Sequence, residues 1–122
     1  MAFNKITLGT YFGSIIVSDT AAAEVGQDNV TGAASTIHSI EVDNTANSST
    51  TVYFKLWDAA NPTVSSDAPD YTFPVPGGKK IAFTTGDGLV FSTAISYACV
   101  TGKAKGNTSA PASSVPILII AA

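Results

Sequence analysis

The 122-residue chain predicts an all-β fold, an antiparallel β-sandwich of jelly-roll or Ig-like type. About seven to nine short strands and little or no helix are expected. Three observations carry that reading. Apolar and polar residues alternate with a period of two, the signature of half-buried strands. Clusters of Gly, Pro, Asn, Asp and Ser interrupt those segments at short intervals. Polarity comes from hydroxyls, with 13 Ser and 15 Thr, whereas only 12% of residues are charged. That charged fraction is about half of the usual ~25% and does not favour solvated helices. The length suits one domain with a core that needs no metal or disulfide staple.

The elements follow in order. Lys5 to Leu8 and Ser14 to Val17 read as strands flanking Gly9-Thr10-Tyr11-Phe12-Gly13. Thr20 to Val25 is the one stretch that tempts a helical reading, and its polar and glycine flanks allow a single turn at most. Ile40 and Val42 alternate with Glu41 and Asp43, and Val52, Phe54 and Leu56 alternate with Tyr53, Lys55 and Trp57. The turn-forming run Asn44 to Ser49 between them predicts a hairpin with a long loop. Tyr71 to Val75 is a short strand that Pro74 confines to an edge or a bulge. Pro76-Gly77-Gly78 makes a turn before a strand from Lys79 to Thr84. Gly86-Asp87-Gly88 is expected to interrupt the chain again, ahead of Leu89-Val90-Phe91. Ile95 to Thr101 and Val115 to Ile120 complete the set. Residues 26–34 and 103–114 read as surface loops with little to bury. Within the single domain 1–122, they set off N-terminal strands or an arm (1–35) and a C-terminal strand (115–122) from a sandwich body (36–102). Strands tethered in this way are either ordinary intrachain strands or candidates for pairing with a neighbouring subunit.

Charge and motif content narrow the function. Six lysines, no arginine and nine acidic residues give a net charge of -3. Without a basic stripe or an arginine fork, nucleic-acid recognition and phosphoryl transfer are not expected. The longest apolar run, Pro116 to Ala122, is too short to span a bilayer as a helix, and no membrane partner is expected. Met1-Ala2-Phe3-Asn4-Lys5 does not read as a secretory signal, so synthesis in a cytoplasm is expected and three Asn-x-Ser/Thr sequons carry no weight. The lone Cys99, within a strand, reads as a buried, inert thiol. The lone His38 falls in phase with Ile40 and Val42 and reads as a hydrogen-bonded residue in or beside the core. Asp58, Asp67 and Asp70 surround one loop; they read as turn residues, with a calcium site as the alternative for three hard oxygen ligands. P-loop, GxGxxG and metalloprotease spacings are missing. An enzyme is therefore not expected, nor is a cofactor. Tyr53 and Trp57 lie on the face opposite Val52, Phe54 and Leu56, which leaves three readings: a protein interface, a sugar-stacking platform or internal packing.

The segments Ser39-Ile40-Glu41-Val42-Asp43-Asn44, Val52 to Asp58, Phe73-Pro74-Val75-Pro76-Gly77-Gly78-Lys79-Lys80-Ile81 and Gly88 to Ser96 together resemble small virion proteins of tailed bacteriophages, particularly those of cyanobacteria and other aquatic bacteria. The resemblance spans roughly residues 36–120. It rests on turns and core positions and carries over no functional residue. It implies a non-enzymatic structural part of a virion, most of all a capsid decoration (cement) protein made in the host bacterial cytoplasm. Such a protein bridges major capsid protein subunits and often assembles as a homotrimer. The alternatives are a tail, fibre or baseplate component, including a receptor-binding one, and, from a different class, a carbohydrate-binding module. The residues expected at its contacts are Tyr53 and Trp57, together with Tyr11, Phe12, Ile117 and Ile119 of the terminal segments.

Overall fold

A computed structural model describes residues 3–7 and 15–122. Among the described residues eight strands are present: β1 (Asn4–Thr7), β2 (Ile15–Ala22), β3 (Ser35–Asp43), β4 (Val52–Trp57), β5 (Tyr71–Val75), β6 (Lys80–Phe91), β7 (Ser96–Val100) and β8 (Val115–Ala121). No helix occurs among the described residues, and Thr20 to Ala22 continues β2. The strands form two antiparallel sheets, one of five strands in the order β1-β2-β8-β3-β6 and one of three in the order β5-β4-β7. Their inner faces supply the core, with Val17, Ile37, Ile40, Val42, Ile117 and Ile119 from the first sheet and Val52, Phe54, Leu56, Tyr97 and Cys99 from the second.

The strand order resolves the choice that the sequence leaves open. Residues 23–30 run alongside β7, held by a two-way bridge between Gln27 and Tyr97 and by hydrogen bonds from Cys99 N to Ala23 O and from Val30 N to Ile95 O. Counting that segment as a strand, the sheets read β2-β8-β3-β6 and (23–30)-β7-β4-β5, with β1 added at one edge. Nested antiparallel pairs (first with last, second with second-last, and so inward) define the double Greek key of a jelly roll.

Several local expectations change in this setting. β3 and β4 are not a hairpin, because they lie in different sheets and 44–51 crosses between them. The crossing is held by Asn44, which is 0% exposed. Its Nδ2 donates to the carbonyls of Thr50 (2.9 Å), Val75 (3.0 Å) and Pro76 (3.2 Å), tying this corner to the second crossing between β5 and β6. Asn47 Nδ2 donates to Asn44 Oδ1 and to Ser113 O, both at 2.9 Å. The corners approach so closely that a Cβ on Gly77 would lie 2.6 Å from Thr50 N, so only glycine fits there.

Gly86-Asp87-Gly88 does not end a strand. β6 continues through it, and the partners of β3 jump from Thr84 to Leu89 while those of Ile37 and Ser39 shift register, a bulge on the sheet's edge. The shift takes His38 out of phase with Ile40 and Val42 and leaves it half-buried. Gly88, at φ +82°, closes the bulge where a Cβ would collide with Thr36. Pro74 does lie in an edge strand, β5, where no partner needs its missing N–H.

Neither β2 nor β8 is an arm. Both are interior strands of the five-stranded sheet, and β8 pairs with β2 on one side and β3 on the other. The segment 103–114, expected to be a surface loop with little to bury, lies over the outer face of β4. Lys55 Nζ donates to Ala104 O at 2.7 Å. Pro111 is buried, and a Cβ on Gly106 would meet Ser65 O of the 58–70 loop at 2.6 Å. β4 and β7 are thus covered on both faces, whereas Thr72 and Pro74 leave the outer face of β5 exposed. Lys55, at 1% exposure, is a cation in that layer, and burial lowers its pKa.

Candidate interaction surface

The outer face of the five-stranded sheet is built from the residues that alternate with the core. Ile6 stands opposite Ile16, Ile16 opposite Ile120, Ile120 opposite Ser39 and Ser39 opposite Thr84. The next row runs Asn4, Ser18, Leu118, Glu41, Ala82. Ile6 is 51% exposed, Ile16, Leu118 and Ile120 are half-buried, and Pro116 and Ala82 are exposed. Antiparallel sheets with one solvated face normally alternate apolar and polar side chains. β8 departs from that rule, being apolar on both faces from Val115 to Ala121. A connected apolar patch on an outer sheet face is a feature of contact surfaces.

Charge frames one side of the patch. Lys80 Nζ lies 3.2 Å from Glu41 Oε1 in an exposed ion pair. Thr45 donates to Asp43 Oδ1 through its hydroxyl (2.5 Å) and its amide (3.0 Å), which holds the Asp43 carboxyl below its usual range. A shallow groove of about 230 Å³ runs among Ser18, Glu41, Asp43, Lys80, Pro116 and Leu118. It offers apolar area, one cation and two acids.

The residues singled out from sequence fall elsewhere. Trp57 is 2% exposed, and its Nε1–H donates to Asp67 O at 3.0 Å; it belongs to the packing under the 58–70 loop. Ile117 (3%) and Ile119 (0%) face the core. As the chain is folded, these three present no surface to a partner. Tyr53 is half-buried on the covered face of β4. Tyr11 and Phe12 lie outside the described residues. The contact candidates are instead Ile6, Ile16, Leu118 and Ile120; sequence reading missed them because the apolar runs at 15–17 and 115–121 hide which face points inward and Ile6 stands alone between Lys5 and Thr7.

The remaining chemistry-bearing groups are structural. Tyr97 Oη donates to Asp19 Oδ2 at 2.7 Å inside the core, with Ala21 N donating to Asp19 Oδ1 at 2.9 Å. Burial, and next the bond to Asp19, raise the Tyr97 pKa. Cys99 is a buried free thiol, pushed up to about 12 by burial, in keeping with the inert reading. Asp58, Asp67 and Asp70 do not converge on one point as a group of ligands among the described residues. Each holds the loop backbone instead: Asp70 Oδ2 accepts from Asp58 N and Asp67 Oδ2 from Thr63 N.

Asp58 accepts four bonds from one turn, from Ser92 N and Oγ at 3.0 Å, Thr93 N at 2.8 Å and Ala94 N at 3.2 Å. These amides, Thr93 first, lower its pKa. A depressed folded pKa adds stability above the unfolded value near ~3.9 and loses it as pH falls through the folded value. Asp58→Ala therefore costs about 2 kcal/mol at neutral pH, and the cost shrinks below pH ~4. Urea denaturation of both proteins at neutral pH and at pH ~3 checks this; an equal cost at both would refute the ionic role.

Compared with protein-family models, with curated proteins and with solved structures, the chain matches none.

Proposed function

We propose that this chain is a non-enzymatic structural protein of a tailed-phage virion, in the first place a capsid decoration protein that bridges neighbouring capsid subunits. The observation that supports it is the apolar row Ile6–Ile16–Ile120 with Leu118 and Pro116 on the outer face of the five-stranded sheet, next to Glu41, Asp43 and Lys80. Decoration needs a folded body and a broad, weakly charged contact face, and many copies sum modest contacts into resistance against internal pressure. A jelly roll serves viral capsid and lectin domains alike, so the fold alone does not choose between them. A carbohydrate-stacking role would need an exposed ring, and Trp57 is enclosed.

Co-sedimentation with expanded, DNA-free heads of a cyanobacterial tailed phage stripped of its own decoration tests the reading. The wild-type chain is expected to pellet with the heads. Ile120→Glu, which puts a charge in the middle of the patch without touching the core face of β8, is expected to weaken attachment at least tenfold, equivalent to about 1.4 kcal/mol. Attachment unaltered by Ile120→Glu removes the patch from the mechanism. Failure of the wild-type chain to bind heads, with binding to tails or baseplates, moves it to the tail.

A further inference from the structure

Sheet edges are the other surface a β-sandwich must manage, because each carries a row of unpaired backbone donors and acceptors. Among the described residues, three of the four edges offer no long, regular strand. β5 carries Pro74. Beside β7 the edge is the segment 23–30, which forms no regular strand beyond its one bridge at Gln27. β1 is four residues long and bears Lys5. The fourth edge, β6, is twelve residues long. Among the described residues, nothing outside β3 bonds to the backbone of its 80–84 segment.

The direction of those free groups follows from the ladder. Asn44 N donates to Lys79 O at 2.8 Å, one step beyond the Asp43–Lys80 pair, so positions 44 and 79 form a hydrogen-bonded pair. Alternation along an antiparallel ladder makes Val42–Ile81 and Ile40–Phe83 the next bonded pairs. The N–H and C=O groups of Lys80, Ala82 and Thr84 then point away from β3, along the open edge.

We infer that the edge of β6 pairs with β6 of a second copy of this chain, antiparallel and about a two-fold axis through Ala82. In that register Ala82 exchanges both backbone bonds with its own counterpart, and Lys80 does so with Thr84. No like charges stand opposite one another. Ile81 of each copy faces Phe83 of the other at the non-bonded positions, where side chains lie closest and where aromatic and β-branched residues pair favourably. Both side chains are half-buried in the single chain, where Phe83 already packs on Phe73 with ring centroids 4.6 Å apart. Pairing would close this open side of the sandwich. The bulge at 85–88 ends the pairing region, and the same-face contact is isologous, so assembly stops at two copies. This inference stands apart from the virion reading and needs no capsid.

Light scattering on a sizing column gives the first readout, with the expected mass twice the 12.4 kDa of the chain. Ala82 is exposed, so Ala82→Lys leaves the fold intact while placing two lysines face to face on the axis, and is expected to restore the single-chain mass. Ala82→Cys is expected to form a disulfide-linked dimer on mild oxidation, because the native thiol, Cys99, is buried. Hydrogen exchange keeps the test independent of these variants: the amides of Lys80, Ala82 and Thr84 are expected to be protected in wild type and to exchange at least tenfold faster in Ala82→Lys. A wild-type chain that stays single up to millimolar concentration overturns the inference. So does a dimer or trimer whose mass is unchanged by Ala82→Lys.

Discussion

Asn44→Ala is expected to lower the unfolding free energy by about 4 kcal/mol. The side chain is fully enclosed and serves both crossings between the sheets, donating to Thr50 O, Val75 O and Pro76 O and accepting from Asn47. Alanine takes the donor from the buried carbonyl of Val75 and from the part-buried carbonyls of Thr50 and Pro76, takes an acceptor from the buried Nδ2 of Asn47, and opens a small void. Each orphaned group costs about 1–3 kcal/mol, so the sum is large although any single bond is modest. Asn44→Asp is expected to be worse than alanine, since a carboxylate cannot donate and would face carbonyl oxygens. Exposed Ser48, four positions along the same loop, serves as the control; Ser48→Ala is expected to change little. Urea denaturation with an unchanged m-value measures all three. A loss below about 1 kcal/mol for Asn44→Ala would mean that the corners are held by the chain path and by Gly77 instead.

The second large effect is alkaline unfolding. Cys99 is raised by burial from its ordinary value of 9.0 to about 12, and Tyr97 is raised by burial and by its bond to Asp19. A raised folded pKa means stability that is complete below the unfolded pKa and lost as pH climbs toward the folded one. Each unit is worth about 1.4 kcal/mol, so Cys99 alone removes about 4 kcal/mol between pH ~9 and ~12. Tyr97 adds to the loss above pH ~10. Lys55 acts in the opposite sense. Its folded pKa is lowered, so the unfolded chain holds the extra proton and stability gains as pH rises toward 10.5. Cys99→Ala is expected to be less stable than wild type at neutral pH, through its cavity, yet to show a flatter decline above pH ~9. Tyr97→Phe is expected to flatten the limb above pH ~10, at the expense of leaving Asp19 with Ala21 N alone. Parallel wild-type and Cys99→Ala curves through the alkaline range would remove the thiol from this account.

The class of fold and most strand positions are written in short stretches of the chain. Period-two alternation at 52–56, Pro74 in an edge strand and the inert surroundings of Cys99 are local properties, set by side-chain type along a few residues. Partner choice is not local. Nothing in Ile40 to Leu56 distinguishes a hairpin from a crossing between sheets; the choice depends on Asn44 finding Val75 and Pro76, thirty or so residues away. The continuity of β6 through Gly86-Asp87-Gly88 likewise depends on β3 supplying partners on either side of a bulge.

The candidate surface was the least legible part. In β8 both faces are apolar, so burial carries no alternation and Ile117 and Ile119 look no different from Leu118 and Ile120. Trp57 is a large aromatic on an outward strand position, which by itself suits an exposed anchor. It is buried because 58–70 folds over it and 101–114 crosses the same sheet, a coverage encoded in loop residues with no periodicity to read. Which face of each strand meets water is a property of the layers stacked upon it. Long-range packing sets those layers, by laying two loops on the smaller sheet and none of the described loops on the outer patch of the larger one.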